Sequence, residues 1–341
     1  MSHKNLNVTK IPKILKEKLK NKKIHQIYKK FENSLNIDQD FIVAVSGGPD
    51  SLALAFLAKI YSIKKKIKSK FIIIDHKLRP ESTKEARVVK NILKGYLINA
   101  EVLIWKGQKP NKNIQSLARK KRYEILFAKC DELKISNILL GHHEDDLLEN
   151  FFIRILRGSG LNGLISLEKN NKIENKNLLR PLLYLKKEDL LFISKYVFGF
   201  YVQDPTNQNE KFLRIKIRKL IKELKNNGLD KKKFLKTIKN LKSSNKVINF
   251  YVNQNLKRNT FLLDKNKRLI LNQQFFEQPY EVVFRSLSES IKIIGKKYYA
   301  VRGKKIEKII KNLENNHSIR LTLGGCIIEK VNQTVIISLE I

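Results

Sequence analysis

The chain has 341 residues and a formal net charge of +38, so it is long enough for two or three domains and basic enough to favour a polyanionic partner. No run of about twenty apolar residues occurs, which excludes a membrane-spanning helix. Cys130 and Cys326 lie far apart without Cys-x-x-Cys spacing, which excludes a zinc ribbon and favours the reducing cytoplasm.

Residues 1–35 are rich in lysine, and their apolar residues recur at helical spacing, which predicts a helix that packs on the next domain. From Phe41 onward, short apolar runs alternate with helical patterns. The predicted strands are 41–45, 71–75, 102–105 and 137–141. One helix is predicted to begin at 52, and four more are predicted at 84–96, 114–133, 144–156 and 186–198. Repeated strand–helix units predict an α/β fold with a parallel sheet, helices on both faces and right-handed crossovers.

The rest of the chain has a different pattern. The polar stretch 170–176 predicts a surface loop, and Asp204-Pro-Thr-Asn207 predicts a turn. Basic helices follow over about 212–258, and two strands are predicted at 320–323 and 334–338. The predicted parts are an N-terminal helical extension over 1–36, the parallel-sheet domain over 37–211, and a smaller, mostly helical α+β region over 212–341 that ends in a short strand pair.

The parallel-sheet domain is organised around Ser46-Gly-Gly-Pro-Asp-Ser51, between the first strand and its helix. Two glycines let the backbone approach a ligand closely, and the positive end of the helix points at the same place. This arrangement predicts a phosphate site. No Gly-x-x-x-x-Gly-Lys-Ser/Thr occurs, so it is not a Walker loop. It resembles the pyrophosphate loop of ATP pyrophosphatases, enzymes that split ATP between its α and β phosphates.

Reactive side chains also follow the second and fourth strands. Asp75 and His76 come after one strand, and His142 and His143 after the other. Ligands of parallel sheets bind beyond the carboxyl ends of the strands, so we expect these groups beside the phosphate loop.

The segment after Asp75 has two compatible interpretations. Asp75 and His76 are suited to contact the adenosine or the phosphates of ATP, and Arg79 to contact an anion. Ser82 and Glu85 form the capping-box pattern of a helix start.

The helix after the fourth strand carries a histidine and two carboxylates at helical spacing. These are His142, Asp146 and Glu149. Carboxylates at this place can hold Mg²⁺ or receive an amine. A solvated, charged helix face is the alternative interpretation.

The segment Arg157–Leu164 follows that helix and contains Gly158, Gly160 and Gly163. A glycine-rich segment beside a ligand site predicts a mobile cover for the substrate. An ordinary glycine-rich turn is the alternative.

Together these motifs resemble the tRNA(Ile)-lysidine synthetase family. The family's motifs occur in order over about residues 41–218: Ser46–Ser51, Asp75–Arg79, Ala118–Tyr123, Gly141–Glu149, Arg157–Leu164, Arg180–Leu182 and Asp204–Asn207. The wider ATP pyrophosphatase group shares only the first. The chain departs from the family's Arg-Asn-x-x-Arg motif, because Ile215 stands in place of asparagine between Arg214 and Arg218.

The resemblance implies a two-step ligase that uses ATP, with Mg²⁺ near Asp50. O2 of the wobble cytidine of tRNA(Ile) with a CAU anticodon is adenylylated first. The ε-amine of free L-lysine then attacks C2, and AMP leaves to give lysidine. The wobble base must leave the anticodon stack, which suits a basic surface and a glycine-rich cover. The region 212–341 is then expected to contact the tRNA.

The resemblance also implies roles for residues. The catalytic residues are expected to be Asp50, His142, Asp146 and Glu149, with Asp50 as the metal ligand. Asp146 and Glu149 are the candidates to receive the proton that the lysine amine must lose before it attacks. ATP is expected to contact Ser46, Gly47, Gly48, Pro49, Asp50, Ser51, Asp75, His76 and Arg119. The other substrates are expected to contact Arg122, Arg157, Gly158, Gly160, Gly163, Arg180, Asp204, Asn207, Arg214 and Arg218.

Two other functions stay open at this point. A tRNA thiolase can share the fold, but many thiolases use a Cys-x-x-Cys pair, which is absent here. A non-catalytic RNA-binding protein is the other alternative, and the intact set of His142, Asp146 and Glu149 argues against it. The oligomeric state stays open between a monomer and a dimer.

Overall fold

The computed structural model describes residues 11–107, 114–203, 213–263, 268–296 and 301–340. The chain divides into two compact units, Met1–Lys231 and Lys232–Ile341. The helices of the first unit are α1 (Lys13–Leu19), α2 (Lys22–Leu35), α3 (Pro49–Lys65), α4 (Ser82–Gly95), α5 (Ile114–Leu133), α6 (Glu144–Ile155), α7 (Leu161–Leu164), α8 (Lys187–Phe198) and α9 (Leu213–Asn226). Its strands are β1 (Phe41–Val45), β2 (Ser69–Asp75), β3 (Ala100–Ile104), β4 (Asn137–Leu139), β5 (Asn170–Ile173) and β6 (Lys176–Leu179).

The first unit is built on one six-stranded sheet of order β3-β2-β1-β4-β6-β5. Neighbouring strands are parallel except β5, which pairs with β6 as an antiparallel edge. The predicted parallel sheet is therefore confirmed. The loop predicted at 170–176 is wrong, because these residues form most of the β5–β6 hairpin. The pairing of β6 with β4, about forty residues earlier in the chain, stabilises this hairpin. Such long-range pairing produces no periodic signal in the local sequence.

Both faces of the sheet are covered, as the continuous apolar strands predict. Phe41, Val43 and Val45 of β1 pack in one core with α2, α3, α4 and α8, and Ile42 packs in a second core that includes Leu126 of α5. Alternation along a strand thus puts neighbouring residues into different cores.

The capping box predicted at Ser82 and Glu85 is wrong. The N-cap residue of α4 is Glu81, which makes no side-chain cap. Ser82 instead donates to Oδ1 of Asp75 over 2.7 Å, and Glu85 lies 2.9 Å from Nη2 of Arg79. The buried carboxylate of Asp75 requires hydrogen-bond donors. The hydroxyl of Ser82 therefore donates to Asp75 and does not cap the helix.

The second unit combines helices with an antiparallel sheet. Its helices are α10 (Lys231–Asn259), which begins at the unit boundary, α11 (Tyr280–Ile294) and α12 (Gly303–Asn315), with a short 3-10 helix at Gln273–Phe275. Its strands are β7 (Thr260–Leu263), β8 (Arg268–Leu271), β9 (Ser318–Leu323), β10 (Cys326–Val331) and β11 (Thr334–Leu339), in sheet order β7-β8-β11-β10-β9. The sequence predicts two of these strands, β9 and β11, and misses β7, β8 and β10. β7 and β8 are four residues each, too short to show a periodic pattern.

The boundary predicted at 211 lies outside the described residues and stays a prediction; α9 belongs to the first compact unit. Within the described part of the chain, no helix is both long and apolar enough to cross a membrane.

Candidate active site

The loop between β1 and α3 is a tight turn closed by its own side chains. Gly47 has a φ of +84°, and a Cβ there would lie 2.6 Å from Cγ2 of Val89, so both conformation and space select glycine. Ser51 Oγ donates to the carbonyl of Gly48 over 2.9 Å and accepts from the N–H of Ser46 over 3.1 Å. The N-terminal end of α3 therefore faces the edge at which the parallel strands end.

Neighbouring segments hold this loop in place. Ser194 of α8 is fully buried, and its hydroxyl donates to the carbonyl of Pro49 over 2.6 Å. Gly141, after β4, passes so close that a Cβ there would lie 3.4 Å from the backbone nitrogen of Ser51. The loop is therefore preorganised by contacts from two other elements.

The carboxyl group of Asp50 has one oxygen without a protein partner. Oδ1 is buried and accepts no hydrogen bond, whereas Oδ2 lies 3.6 Å from Nε2 of His143. Burial raises the pKa of this carboxyl, against the attraction of His143, Lys187 and Arg218. A cation would satisfy the buried oxygen, so Asp50 fits the donor chemistry of a Mg²⁺ ligand.

His143 links the loop to α6. Its Nδ1 accepts from the backbone N–H of Asp145 over 3.2 Å, and the backbone N–H of His143 donates to Oδ2 of Asp146 over 2.9 Å, which forms a capping box. An accepting Nδ1 leaves the proton of the neutral ring on Nε2, which faces Asp50. The sequence assigned a catalytic role to His142 and none to His143, although both follow β4 directly.

Asp146 and Glu149 are buried and meet two arginines of α9. Glu149 accepts from Nε of Arg214 over 2.7 Å and from Nε of Arg218 over 2.6 Å. Asp146 accepts from Nη2 of Arg214 over 3.2 Å. Burial by itself would raise the pKa of Asp146, but the two neighbouring histidines and Arg214 outweigh burial and lower the pKa. A solvated helix face is therefore the wrong interpretation of these two carboxylates.

Ile215 lies between the two arginines in sequence but has another environment. It is buried, as are Ile217 and Ile221 of the same helix. The replacement of asparagine by isoleucine leaves the contacts of Arg214 and Arg218 with the carboxylates in place.

His142 is partly buried beside this ion-pair cluster. Burial lowers the pKa of the imidazole far below its ordinary value; Arg180, Arg119 and Arg214 lower it further, and Asp146 opposes them. Its Nδ1 is buried and has no hydrogen-bond partner. His142 is thus a neutral imidazole with a ring nitrogen free for a ligand.

Asp75 uses its carboxylate to shape the loop that follows β2. It accepts from the hydroxyls of Ser82 and Thr83 over 2.7 and 2.6 Å and from the N–H of Lys77 over 2.9 Å. Burial opposes its ionisation, but these hydrogen bonds prevail and lower its pKa. Asp75 therefore positions its neighbours.

His76 lies between an arginine and the chain's single tryptophan. Nε2 accepts from Nε of Arg122 over 3.4 Å, and the ring meets Trp105 edge to face at 6.1 Å between centroids. Burial and the charge of Arg122 lower the pKa of His76 to about 4. Its buried Nδ1 has no partner.

Five arginines, which we call the arginine cluster, lie close enough that the charge of each acts on at least one other. Its members are Arg119, Arg122, Arg154, Arg157 and Arg180. Burial lowers the pKa of Arg122, Arg154 and Arg180, and the charge of Arg119 lowers each further. Arg180 donates through Nη1 to the carbonyl of Glu168 over 2.8 Å, but its buried Nε has no partner. Among the described residues no carboxylate pairs with these five side chains, so the cluster suits an anionic ligand.

The three glycines after α6 differ in what the backbone requires of them. Gly158 has a φ of +63°, and a Cβ on Gly163 would lie 2.7 Å from Cβ of Ser159. Gly160 has an ordinary φ of −66° and open space around it. The mobile cover stays a prediction, and Asp204 and Asn207 lie outside the described residues.

A cavity of about 180 Å³ lies beside the buried carboxylates in the first unit. It is lined by Asp145, Leu148, Glu149, Lys187, Arg218, Ile221, Lys222 and Lys225. Carboxylates and cations within one small cavity suit a zwitterionic ligand. No motif in the sequence predicted a role for Lys187. This residue begins α8, and its charge acts on Asp50 in the folded chain.

Comparison with known proteins decides the family. Residues 16–224 match the PP-loop domain. A tRNA(Ile)-lysidine synthase of Orientia tsutsugamushi is 35% identical over 309 residues, and the match covers 87% of this chain and 69% of that protein. The chain belongs to the tRNA(Ile)-lysidine synthase family. The resemblance inferred from the motifs is confirmed.

Other relatives agree with this assignment. A tRNA(Ile)-lysidine synthase of Wolbachia pipientis wMel is 30% identical over 317 residues, covering 91% of this chain and 74% of that one. Among solved structures, a U34-tRNA thiolase from Methanococcus maripaludis has a TM-score of 0.55 at 20% identity, covering 64% of this chain and 79% of that one. At this identity the likeness shows a shared fold. The members of the synthase family are ligases that form a carbon–nitrogen bond, with an ATP-binding PP-loop domain.

Proposed function

We propose that this chain joins free L-lysine to C2 of the wobble cytidine in tRNA(Ile) with a CAU anticodon. Cytidine O2 attacks the α-phosphate of ATP, and diphosphate leaves. The neutral ε-amine of lysine then attacks C2, the bond between C2 and the original oxygen breaks so that AMP departs with that oxygen, and the new nitrogen releases its proton to solvent. The observation that carries this proposal is the contact of the phosphate loop with α6, which puts Asp50 beside the buried carboxylates.

The loop residues Ser46–Ser51 and the N-terminal end of α3 bind the phosphates of ATP through backbone N–H groups. Mg²⁺, held by Asp50, would neutralise charge that develops on those phosphates. The unsatisfied Oδ1 of Asp50 supports this role. His76 and Arg119 take part on the ATP side, whereas Asp75 acts by orienting the loop that carries His76.

The carboxylates of α6 attract the cationic amine of lysine. The lowered pKa of Asp146 keeps it charged, which suits electrostatic holding of an ammonium group better than proton abstraction. The adjacent cavity of about 180 Å³ also offers Arg218 and Lys222 for the carboxylate of free lysine.

The other four members of the arginine cluster bind the phosphodiester backbone next to the target cytidine: Arg122, Arg154, Arg157 and Arg180. Arg180 is buried, and none of these four arginines pairs with a carboxylate in the described part of the chain, which supports an anion here. The planar guanidinium forks suit phosphate. Arg157 and the glycines after it cover the unstacked base. We also propose that the region 212–341, which follows the PP-loop domain predicted at 37–211, contacts the tRNA. The reaction is proposed to take place in the cytoplasm.

The thiolase alternative is weakened by the state of the two cysteines. Both are free and buried, and burial raises the pKa of Cys130 to about 11. Persulfide chemistry requires an accessible thiolate.

The decisive experiment measures tRNA-dependent ATP–pyrophosphate exchange and incorporation of labelled lysine. Activity is expected with a CAU anticodon and is expected to disappear with a changed wobble base. Asp50→Ala should lose exchange but retain tRNA binding. Exchange without lysine incorporation, or incorporation of sulfur, would refute the proposal.

A further inference from the structure

The long helix α10 has a fixed orientation within the second unit. Its buried stripe includes Asn245 and Asn255. Asn245 accepts from Nη1 of Arg285 over 2.6 Å, and Nδ2 of Asn255 donates to the carbonyl of Phe275 over 3.2 Å. These buried hydrogen bonds set the rotation of α10 and therefore determine which side chains face outward.

Three large apolar side chains lie on the outward side of α10. Val247, Phe250 and Tyr251, here called the outer patch, are 58%, 58% and 54% exposed. The two rings meet edge to face with centroids 5.5 Å apart. Single exposed apolar residues are common, but three within five residues, opposite a buried stripe, form a contiguous surface.

The outer patch lies in a strongly positive setting. The sequence of α10 contains eight lysines, one arginine and no acidic residue. Lys246 is next to the outer patch, and Lys257 and Arg258 follow one to two turns later; all three are exposed. This charge is complementary to a polyanion and opposes contact with a second copy of the same basic helix.

Exposed rings between cations are the arrangement that binds unpaired nucleotides: bases stack on the rings while cations hold the phosphates. Amide side chains at Asn253 and Gln254 lie beside the outer patch in the sequence of α10, and they suit base edges better than a lipid interior. We propose that the outer patch binds an unpaired nucleotide of the tRNA by stacking on Phe250 and Tyr251. The identity of this RNA rests on the proposed function.

The test measures Kd for a tRNA(Ile) transcript with a CAU anticodon over a range of NaCl concentrations. Phe250→Leu combined with Tyr251→Leu keeps the apolar bulk but removes the rings. Kd is expected to rise at least about fivefold with an unchanged salt slope. Lys246→Ala is expected to reduce the slope by about one, which separates charge from stacking. Phe250→Trp should preserve affinity.

Phe261→Leu is the matched control, because Phe261 is 56% exposed in β7 of the same unit. Unchanged Kd in the double variant, or an equal loss in Phe261→Leu, would overturn the inference. Two further results would overturn the inference. One is self-association of the wild type in sedimentation that the double variant abolishes, and the other is wild-type binding to phosphatidylserine vesicles that the double variant abolishes. The proposed function is tested separately, by lysine incorporation with the wild-type protein. The stacking inference is tested by RNA binding alone, so either one can fail while the other holds.

Discussion

Nε2 of His143 lies 3.6 Å from Oδ2 of Asp50, which connects the phosphate loop to the first turn of α6. The same nitrogen is 3.8 Å from Oδ2 of Asp146. One imidazole thus stands between the residue proposed to hold Mg²⁺ and a carboxylate proposed to hold lysine. A change in either half of the site is expected to affect the other through this ring.

His143→Asn tests this connection. Asparagine is a good N-cap residue, so α6 should still begin normally. The variant loses Nε2, and misplacement of Asp50 is expected to reduce ATP–pyrophosphate exchange by about 10²-fold. Wild-type exchange in His143→Asn would show that the histidine serves only as a cap.

Glu149→Gln is expected to lower both stability and the use of lysine. Arg214 and Arg218 lose a charged acceptor, which costs about 1.5–3 kcal/mol in the free energy of unfolding. Adenylylated tRNA should accumulate, because the lysine step suffers more than activation; Asp146→Asn should behave in the same way. Glu144→Gln is the control, because Glu144 lies in the same helix as Glu149 but pairs with Lys231 of α10. Equal loss of exchange and incorporation would assign these carboxylates to ATP.

The glycines after α6 should separate into two groups. Gly158→Ala forces a side chain into left-handed backbone at about 1 kcal/mol, and Gly163→Ala places a methyl group against Ser159. Both should reduce lysine incorporation while tRNA binding measured by filter retention changes little. Gly160→Ala should be nearly neutral in both assays. If the first two variants lose binding in proportion to activity, the segment is only part of the general RNA surface.

Trp105 should report the protonation of His76. Protonated imidazole quenches a neighbouring indole, so fluorescence is expected to fall near pH 4, well below the ordinary histidine range. A lowered pKa in the folded state means that the stabilising effect of the neutral ring is complete above about pH 6.5 and is lost as pH falls toward 4. Urea midpoints followed by Trp105 fluorescence should decline over this window, and less in His76→Gln. A fluorescence transition near pH 6.5 would contradict the burial of this ring.

The phosphate loop, with the strand before it and the helix after it, could be predicted from local sequence alone. Ser46–Ser51 stands between an apolar strand and an Ala/Leu-rich helix, and these are local signals of a parallel sheet. Because such a sheet brings its strand ends to one edge, Asp50, His76 and His142 could be assigned to one site from sequence order alone.

Which side chains meet in the site depends on contacts between residues that are distant in sequence. Glu149 binds Arg214, 65 residues later, and no periodic pattern encodes that pairing. His142 and His143 are adjacent in sequence, and no local pattern distinguishes them. In the structure, the N-cap position brings His143 close to Asp50, whereas His142 lies near Arg119 and Arg180. The hairpin at 170–179 likewise depends on pairing with β4. Local patterns specify backbone conformation and burial, whereas partners distant in sequence are selected by packing and by the need of buried charges for counter-charges.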